Sequence, residues 1–286
     1  MTGAAGQVGG AIAPRLRAQG HEVVATDRAT LDLADPAAIV DTLDRVRPEI
    51  IVNAGAYTAV DQAERERDAA FAINAVAPGV LAAEAKRRRA LLVHFSTDYV
   101  FDGRANAPYS EDDETAPLSV YGASKLAGEQ AVLGSGADSL VFRTSWVYGW
   151  TGRNFLLTIR RLASERAELR IVADQRGVPN WSDELARAVV RVLALGDALR
   201  ERRGLYHLSS SGDTTWHGFA EAIVGSMSAP RVVPISTADY PTPARRPPYG
   251  VLATARFERN FGFALPPWRD ALDACLRVPP AAPAVV

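Results

Sequence analysis

With 286 residues, 48% of them hydrophobic, the chain is long and apolar enough for a sizeable core, which excludes a disordered polymer; a net charge of −1 excludes global attraction to nucleic acid or an anionic membrane. The single cysteine, Cys275, excludes an intrachain disulfide and a cysteine metal cluster. No apolar run reaches the ~20 residues of a membrane span and no signal peptide opens the chain, so a cytoplasmic enzyme is expected.

The chain opens on Gly3, Gly6 and Gly9, spaced G-x-x-G-x-x-G, followed by an amphipathic run with Ile12 and Leu16. This pattern predicts a strand-to-helix turn whose backbone approaches a pyrophosphate at a helix N-terminus, so Gln7 and Val8 join the glycines as candidate cofactor contacts. Only Met1 and Thr2 precede Gly3, so the first strand is expected to be truncated. His21 to Thr26 reads as a second strand. Asp27 at its end is placed to bond a ribose, and the adjacent Arg28 to meet a 2′-phosphate, which leaves NADH against NADPH open. Asp32 and Leu33 are candidates to sit beside an adenine. The competing reading of Asp27 and Asp32 is turn chemistry.

Strand and helix then alternate, as in a parallel α/β sheet. Asp35 to Arg47 reads as a helix. Glu49 to Ala54 reads as a strand whose end carries Gly55, Ala56 and Tyr57, small enough at first for close passage of a ligand. Asp68 to Arg89 reads as a long helix containing Asn74 and ending in the basic run Lys86 to Arg89, which reads as a solvated helix end, with a phosphate patch as the competing reading. Ala90 to Ser96 is apolar on both faces, as a buried parallel strand should be, and leads into Thr97, Asp98 and Tyr99.

Lysine is nearly absent: of 32 basic residues only Lys86 and Lys125 are lysine. Lys125 follows Tyr121 by four positions, one helical turn, which sets an ammonium beside a phenol. A nearby cation lowers a phenol's pKa, so this pair is a candidate acid–base unit, with Thr97 as a second hydroxyl on the same oxygen.

Further on, Ser139 to Ser145 and Glu168 to Ala173 read as strands, and Arg153 to Ser164 and Asp183 to Leu195 as helices. Prolines multiply after Gly204, marking a smaller domain. The expected division is residues 1–145 with about 168–200 for dinucleotide binding, about 146–167 with 201–278 for substrate, and a disordered tail from 279 to 286. Trp146, just past a strand end, is a candidate ligand contact; Trp181, Trp216 and Trp268 read as packing. His94, His207 and His217 share no metal-ligand spacing.

The glycine turn, the strand ending in Thr97 and Tyr121 to Lys125 (YGASK) together resemble the extended short-chain dehydrogenase/reductases. The runs Val52–Glu64 (VNAGAYTAVDQAE), Ser96–Gly103 (STDYVFDG), Arg143–Gly149 (RTSWVYG), Asp174–Pro179 (DQRGVP) and Thr214–His217 (TTWH) resemble the dTDP-4-dehydrorhamnose reductase family within them. The resemblance implies a Rossmann-type doubly wound parallel sheet with a smaller C-terminal α/β substrate domain. It also implies NADPH or NADH as cofactor, and reduction of the C4 ketone of dTDP-4-dehydro-6-deoxy-L-mannose to dTDP-L-rhamnose. It makes Tyr121 the proton donor, Lys125 the holder of the nicotinamide ribose and Thr97 a bond to the C4 oxygen. Gly6, Gln7 and Val8 would line the pyrophosphate, Asp27 the ribose, Asp32 and Leu33 the adenine, and Gly55, Ala56 and Tyr57 the underside of the cofactor. Asp98, Tyr99 and Trp146 would meet the sugar nucleotide. Ala11 stands where some members place a glutamate that holds magnesium between subunits, so no metal is expected; a homodimer is compatible. Two departures from the pattern are Asn180 after Pro179 and Pro248-Tyr249-Gly250. A nucleotide-sugar epimerase or dehydratase and a non-catalytic regulatory subunit of the same fold are the alternatives; net consumption of NAD(P)H separates them.

Overall fold

The computed structural model describes residues 1–225 and 230–278; the tail expected to be disordered lies outside the described residues. Four strands, β1 (Ile50–Asn53), β2 (Leu91–Thr97), β3 (Ser139–Thr144) and β4 (Gly204–His207), pair side by side in that order, all parallel. The first strand is a stub: Thr2 makes one parallel bridge to Asn53, its N–H donating to the Val52 carbonyl at 2.9 Å. The run expected as a second strand hydrogen-bonds to the other side of this stub, Thr26 N donating to Met1 O at 2.8 Å and Ala4 N to Thr26 O at 2.9 Å. It forms no ladder, because its partner offers too few residues. The reversal of order beside β1 creates the crevice at the carboxyl strand ends where doubly wound sheets bind ligands.

Both faces of the sheet are covered. Helix α1 (Gln7–Ala18) and helix α5 (Ser182–Leu193) pack Ile12, Leu16, Leu185 and Val189 against Val93, Phe95, Leu140 and Phe142. On the other face, α2 (Pro36–Val46) and α3 (Ala77–Arg88) set Ile39, Leu43 and Leu81 against Leu92 and Val141. All seven residues of β2 are buried, which explains its unbroken apolar reading. A separate core gathers Leu156, Leu169, Phe219, Leu272 and Cys275.

Two expected assignments change. Glu168–Val172, expected with the dinucleotide-binding elements, pairs instead with Arg231–Ile235 in a small parallel sheet. Its Glu168 and Arg170 are exposed while Leu169 is buried, a one-faced pattern unsuited to a sheet covered on both sides. Conversely Gly204–His207, expected in the smaller domain, is the outer strand of the main sheet, with Tyr206 and His207 buried.

Helix α4 (Val120–Gly134) docks through two glycines. A methyl group at Gly122 would collide with the Tyr99 carbonyl, and one at Gly128 with the Asn74 carbonyl. Backbone-to-backbone contact at both points fixes the helix's height and rotation over β2. Gly128→Ala should therefore cost about 1–3 kcal/mol by overpacking. Gly134→Ala, with open space around the site, should cost nothing. Urea denaturation of both variants checks this; equal stabilities would refute the docking role of Gly128.

Candidate active site

Two groups satisfy the first turn of α4. The Ser119 hydroxyl accepts from Gly122 N at 3.2 Å, and the Glu64 carboxylate accepts from Val120 N at 2.8 Å. The helix thus starts where Tyr121 and Lys125 face the ends of the strands. Lys125 is 3% exposed and its Nζ donates to the Phe95 carbonyl at 2.6 Å. Burial lowers its pKa to about 8, with the Glu129 carboxylate acting the other way. Burial also pushes the Tyr121 phenol up to about 12; the Thr97 hydroxyl opposes this and the Asp98 charge adds to it. The lowering of the Tyr121 pKa expected from Lys125 does not appear, since burial raises it instead. The ammonium is committed to the Phe95 carbonyl, and desolvation dominates. Tyr121 stands as a phenol, able to donate.

Glu129, one turn beyond Lys125, is bound bidentately by Arg143 of β3, at 2.9 and 2.5 Å, both side chains being 3% exposed. The guanidinium also covers the Phe101 ring and approaches His207 Nε2 at 3.4 Å. His207, held far down at about 3 mainly by burial, is neutral, as is fully buried His94, whose Nδ1 accepts from Asn53.

Thr97 ends β2 in register with Thr144. Its hydroxyl donates to Asp98 Oδ1 at 3.0 Å and accepts from Tyr99 N at 3.2 Å. Asp98 is 2% exposed, and burial raises its pKa to about 7 against the opposing bond from Thr97. The Tyr99 ring meets Tyr121 edge-on, with centroids 5.5 Å apart. Gly250 lies on Asp98: a methyl group there would be 2.5 Å from Oδ2. This accounts for one of the two departures in the sequence, since only glycine lets the 247–250 segment cover the carboxylate. Arg246, four residues earlier, grips Asp61 at 3.1 and 2.8 Å and faces the Tyr99 phenol.

At the other end of the cleft the glycine turn is built for close approach. Gly3 has φ of 66°, and a side chain there would strike the Ala54–Gly55 backbone; one at Gly9 would strike the Gly3 carbonyl. Gly55 in turn has no room for a side chain, because Leu33 Cδ1 would lie 2.5 Å from it. Gly3, Gly9, Gly55 and Leu33 thus come together. The N-cap of α1, Gly6, has no side-chain cap, so the first N–H groups of the helix are free for an anion. This cradle fits a dinucleotide pyrophosphate. The partly buried Val8 side chain packs against the core. Gln7 turns toward the helix Phe155–Glu165, its Oε1 accepting from Nδ2 of the N-cap residue Asn154 at 3.0 Å.

Asp27 and Asp32 both show the turn chemistry that competed with ligand binding. Asp27 Oδ1 accepts from Ala29 N, Thr30 N and the Thr30 hydroxyl, and the Thr30 bonds hold its carboxyl below the usual range. Asp32 Oδ1 accepts from Ala34 N at 2.9 Å. Tyr57 is held at its backbone by Asn74, which accepts from Tyr57 N at 2.8 Å and donates to Tyr57 O at 3.0 Å. Its phenol donates to Glu66, near the charge of Arg28. Ala56 is carried between Gly55 and this clamp. Asn74 sits fully buried in a π-helical turn, Ala72–Val76, that interrupts the expected long helix. Sequence reading passed over it as a site residue; its only signal was a lone amide in a helix otherwise rich in alanine. Trp146 is partly exposed, with φ of 41°, and stacks on Trp216 with centroids 3.5 Å apart.

The Asp98 carboxyl holds its proton more tightly in the folded chain, near 7, than at its ordinary 3.8. Its contribution to stability is therefore full below about pH 4 and lost as pH rises through about 7. Asp98→Asn should lack this component, so the stability difference between parent and variant should change across that window. Urea denaturation over a pH series measures it; a pH-independent difference would rule Asp98 out as the titrating group.

Comparison with known proteins agrees with this geometry. A family model, the RmlD substrate binding domain, matches residues 1–279. The dTDP-4-dehydrorhamnose reductase of Burkholderia thailandensis is 47% identical over 97% of each chain, and that of Escherichia coli 42% identical over 96% of each. A probable dTDP-4,6-dihydroxy-2-methyloxan-3-one 4-ketoreductase of Streptomyces antibioticus is 42% identical over 95% of this chain and 92% of the relative. Among solved structures, the dTDP-4-dehydrorhamnose reductase of Bacillus anthracis in complex with NADP superposes with a TM-score of 0.90 at 36% identity, over 96% of this chain and 97% of that one. The chain belongs to the RmlD substrate binding domain family.

Proposed function

We infer that this chain is an NAD(P)H-dependent oxidoreductase that reduces the C4 ketone of dTDP-4-dehydro-6-deoxy-L-mannose to dTDP-L-rhamnose. The observation that carries the reading is the convergence of Thr97, Tyr121 and Lys125 at the carboxyl ends of β2 and α4's docking site, in a chain so similar to reductases of that name. NAD(P)H, when bound, supplies the hydride. Gly3, Gly6, Gly9 and the free N–H groups of Gln7 and Val8 hold its pyrophosphate. Asp27, beside Arg28, would hold the adenosine ribose, Asp32 and Leu33 the adenine, and Gly55, Ala56 and Tyr57 would leave room for the rest of the cofactor. Lys125 would hold the nicotinamide ribose.

Reduction places negative charge on the ketone oxygen. Tyr121, a phenol at neutral pH, donates a hydrogen bond to that oxygen and then its proton. Thr97 donates a second bond to the same oxygen. Asp98, Tyr99 and Trp146 orient the sugar nucleotide, which occupies the lobe built on the small sheet, while the main sheet carries the cofactor. The enzyme acts in the cytoplasm on a diffusible dTDP-sugar.

Absorbance at 340 nm with the 4-keto sugar nucleotide and either NADH or NADPH tests the reaction. Stoichiometric oxidation of one of them is expected; turnover without net oxidation would indicate a redox-neutral epimerase or dehydratase and overturn the reading. Tyr121→Phe should lower turnover by roughly 10²–10⁴-fold, the usual weight of a general acid, while the Kd for NADPH stays within a factor of two. Retained turnover would place the proton donor elsewhere.

A further inference from the structure

Trp146 occupies a slot with more construction behind it than an incidental surface aromatic needs. Its φ of 41° lies in the left-handed region, which is unfavourable for a bulky residue and persists only where the surroundings impose it. The backbone is fixed first. Asn180, fully buried, donates from its N–H to the Trp146 carbonyl at 3.2 Å and from Nδ2 to the Ser145 carbonyl at 2.8 Å. Asn180 is the other departure noted in the sequence, and it acts here as the clamp on the turn. The ring is fixed next. The Trp216 indole lies parallel to it, 3.5 Å between centroids and 9° between planes. Gly177 closes on the nitrogen edge of the indole: a methyl group there would be 2.5 Å from Cε2, 2.7 Å from Cζ2 and 2.8 Å from Nε1. Gly177 and Trp216 are themselves tied, since Arg176–Gly177 pairs antiparallel with Thr214–Thr215, the residues immediately before Trp216. Behind Trp216, Phe155 lies 4.7 Å away and stacks on Phe219, which is fully buried.

We propose that Trp216, with Gly177, is a positioning residue that sets the orientation of Trp146 and thereby the discrimination of the hexose ring of the sugar nucleotide. This rests on the reading of Trp146 as a sugar contact. Trp216 acts through Trp146 and need not touch the substrate itself. The indole that a sugar would meet is held by a wall belonging to the second lobe, so the tightness of that wall is transmitted to substrate affinity and leaves cofactor affinity alone.

The test uses the full-length enzyme. Trp216→Leu should raise the KM for the 4-keto sugar nucleotide roughly tenfold, the upper end of what an aromatic pair contributes, with the Kd for NADPH unchanged. Trp216→Phe, which keeps a stacking ring, should recover most of that loss. Trp146→Leu/Trp216→Leu should be no worse than Trp146→Leu, as expected for residues acting in series. In the parent enzyme the far-ultraviolet exciton couplet of the stacked indoles should change on adding dTDP-rhamnose and not on adding dTDP. An unchanged KM in Trp216→Leu beside a raised KM in Trp146→Leu overturns this proposal alone. An unchanged KM in Trp146→Leu removes the sugar-contact reading and the proposal with it. Should Trp216→Leu not fold, Gly177→Ala pushes the indole from its edge with Trp216 in place and must raise the same KM; no rise overturns the proposal.

Discussion

The burial of two helical turns of α4 against the ends of β2 and β3 is the constraint on which the site depends. It takes Lys125 and Glu129 out of water and leaves Tyr121 half-buried beside them, and the two charged groups then need partners inside the protein. Glu129 finds Arg143 in a bidentate bond and Lys125 finds the Phe95 carbonyl, while the Tyr121 ring lies edge-on to Tyr99. Removing one half of a buried ion pair leaves an uncompensated charge, costing about 3–5 kcal/mol, so Glu129 and Arg143 are tied to each other by stability as well as geometry. Since Arg143 lies on β3 and also covers Phe101, the pair welds the helix to the strand whose end carries Trp146. Desolvation, rather than the neighbouring cation, sets the protonation of Tyr121, and its outcome is a phenol that keeps its proton until a charge develops beside it.

The opposite end of the cleft works by the absence of side chains. Gly3, Gly9 and Gly55 let three stretches of backbone approach where any methyl group would intervene. Such closeness leaves the free N–H groups of α1 as the strongest polar feature there, and these suit an anion whatever its identity. The stub of a first strand still performs its positional task, since one bridge to Asn53 and the Thr2 hydroxyl bond to the Asn53 side chain, at 2.6 Å, place Gly3 beside Gly55.

What was legible in the sequence was local. The glycine spacing, the unbroken apolar run of β2 and the one-turn interval of Tyr121 and Lys125 each reflect a single element's geometry, and the structure carries each of them in its expected element. What was illegible was contact across the chain. Nothing near Tyr57 announces that Asn74 will clamp it, nor does anything near Asp98 announce Gly250. Glu168–Val172 was read as a strand but given the wrong neighbours, because strand propensity carries no record of which edge a strand will join. Asp27 and Asp32 show the reverse limit. Position suggested ligand contact, yet their Oδ1 oxygens serve turns. The second oxygen of Asp27 carries no bond in that turn, so the two roles are compatible.

The hydrogen-bond inventory at Thr97 imposes a condition on any chemistry at this site. A threonine hydroxyl has one hydrogen to give. Here it is given to Asp98, while the hydroxyl oxygen is occupied by Tyr99 N. For Thr97 to donate to a substrate oxygen, the bond to Asp98 must break or reverse, and it reverses when Asp98 itself carries the proton. A carboxyl with its pKa near 7 can occupy either state at neutral pH. Gly250 leaves just enough room over Oδ2 for a segment to cover it without displacing it, which keeps water away and the pKa high. The covering segment follows Arg246, which is anchored to Asp61 on the side of the cleft that carries Tyr57. The protonation of Asp98, and through it the direction of the Thr97 bond, thus rests on the cover that Gly250 keeps over Oδ2.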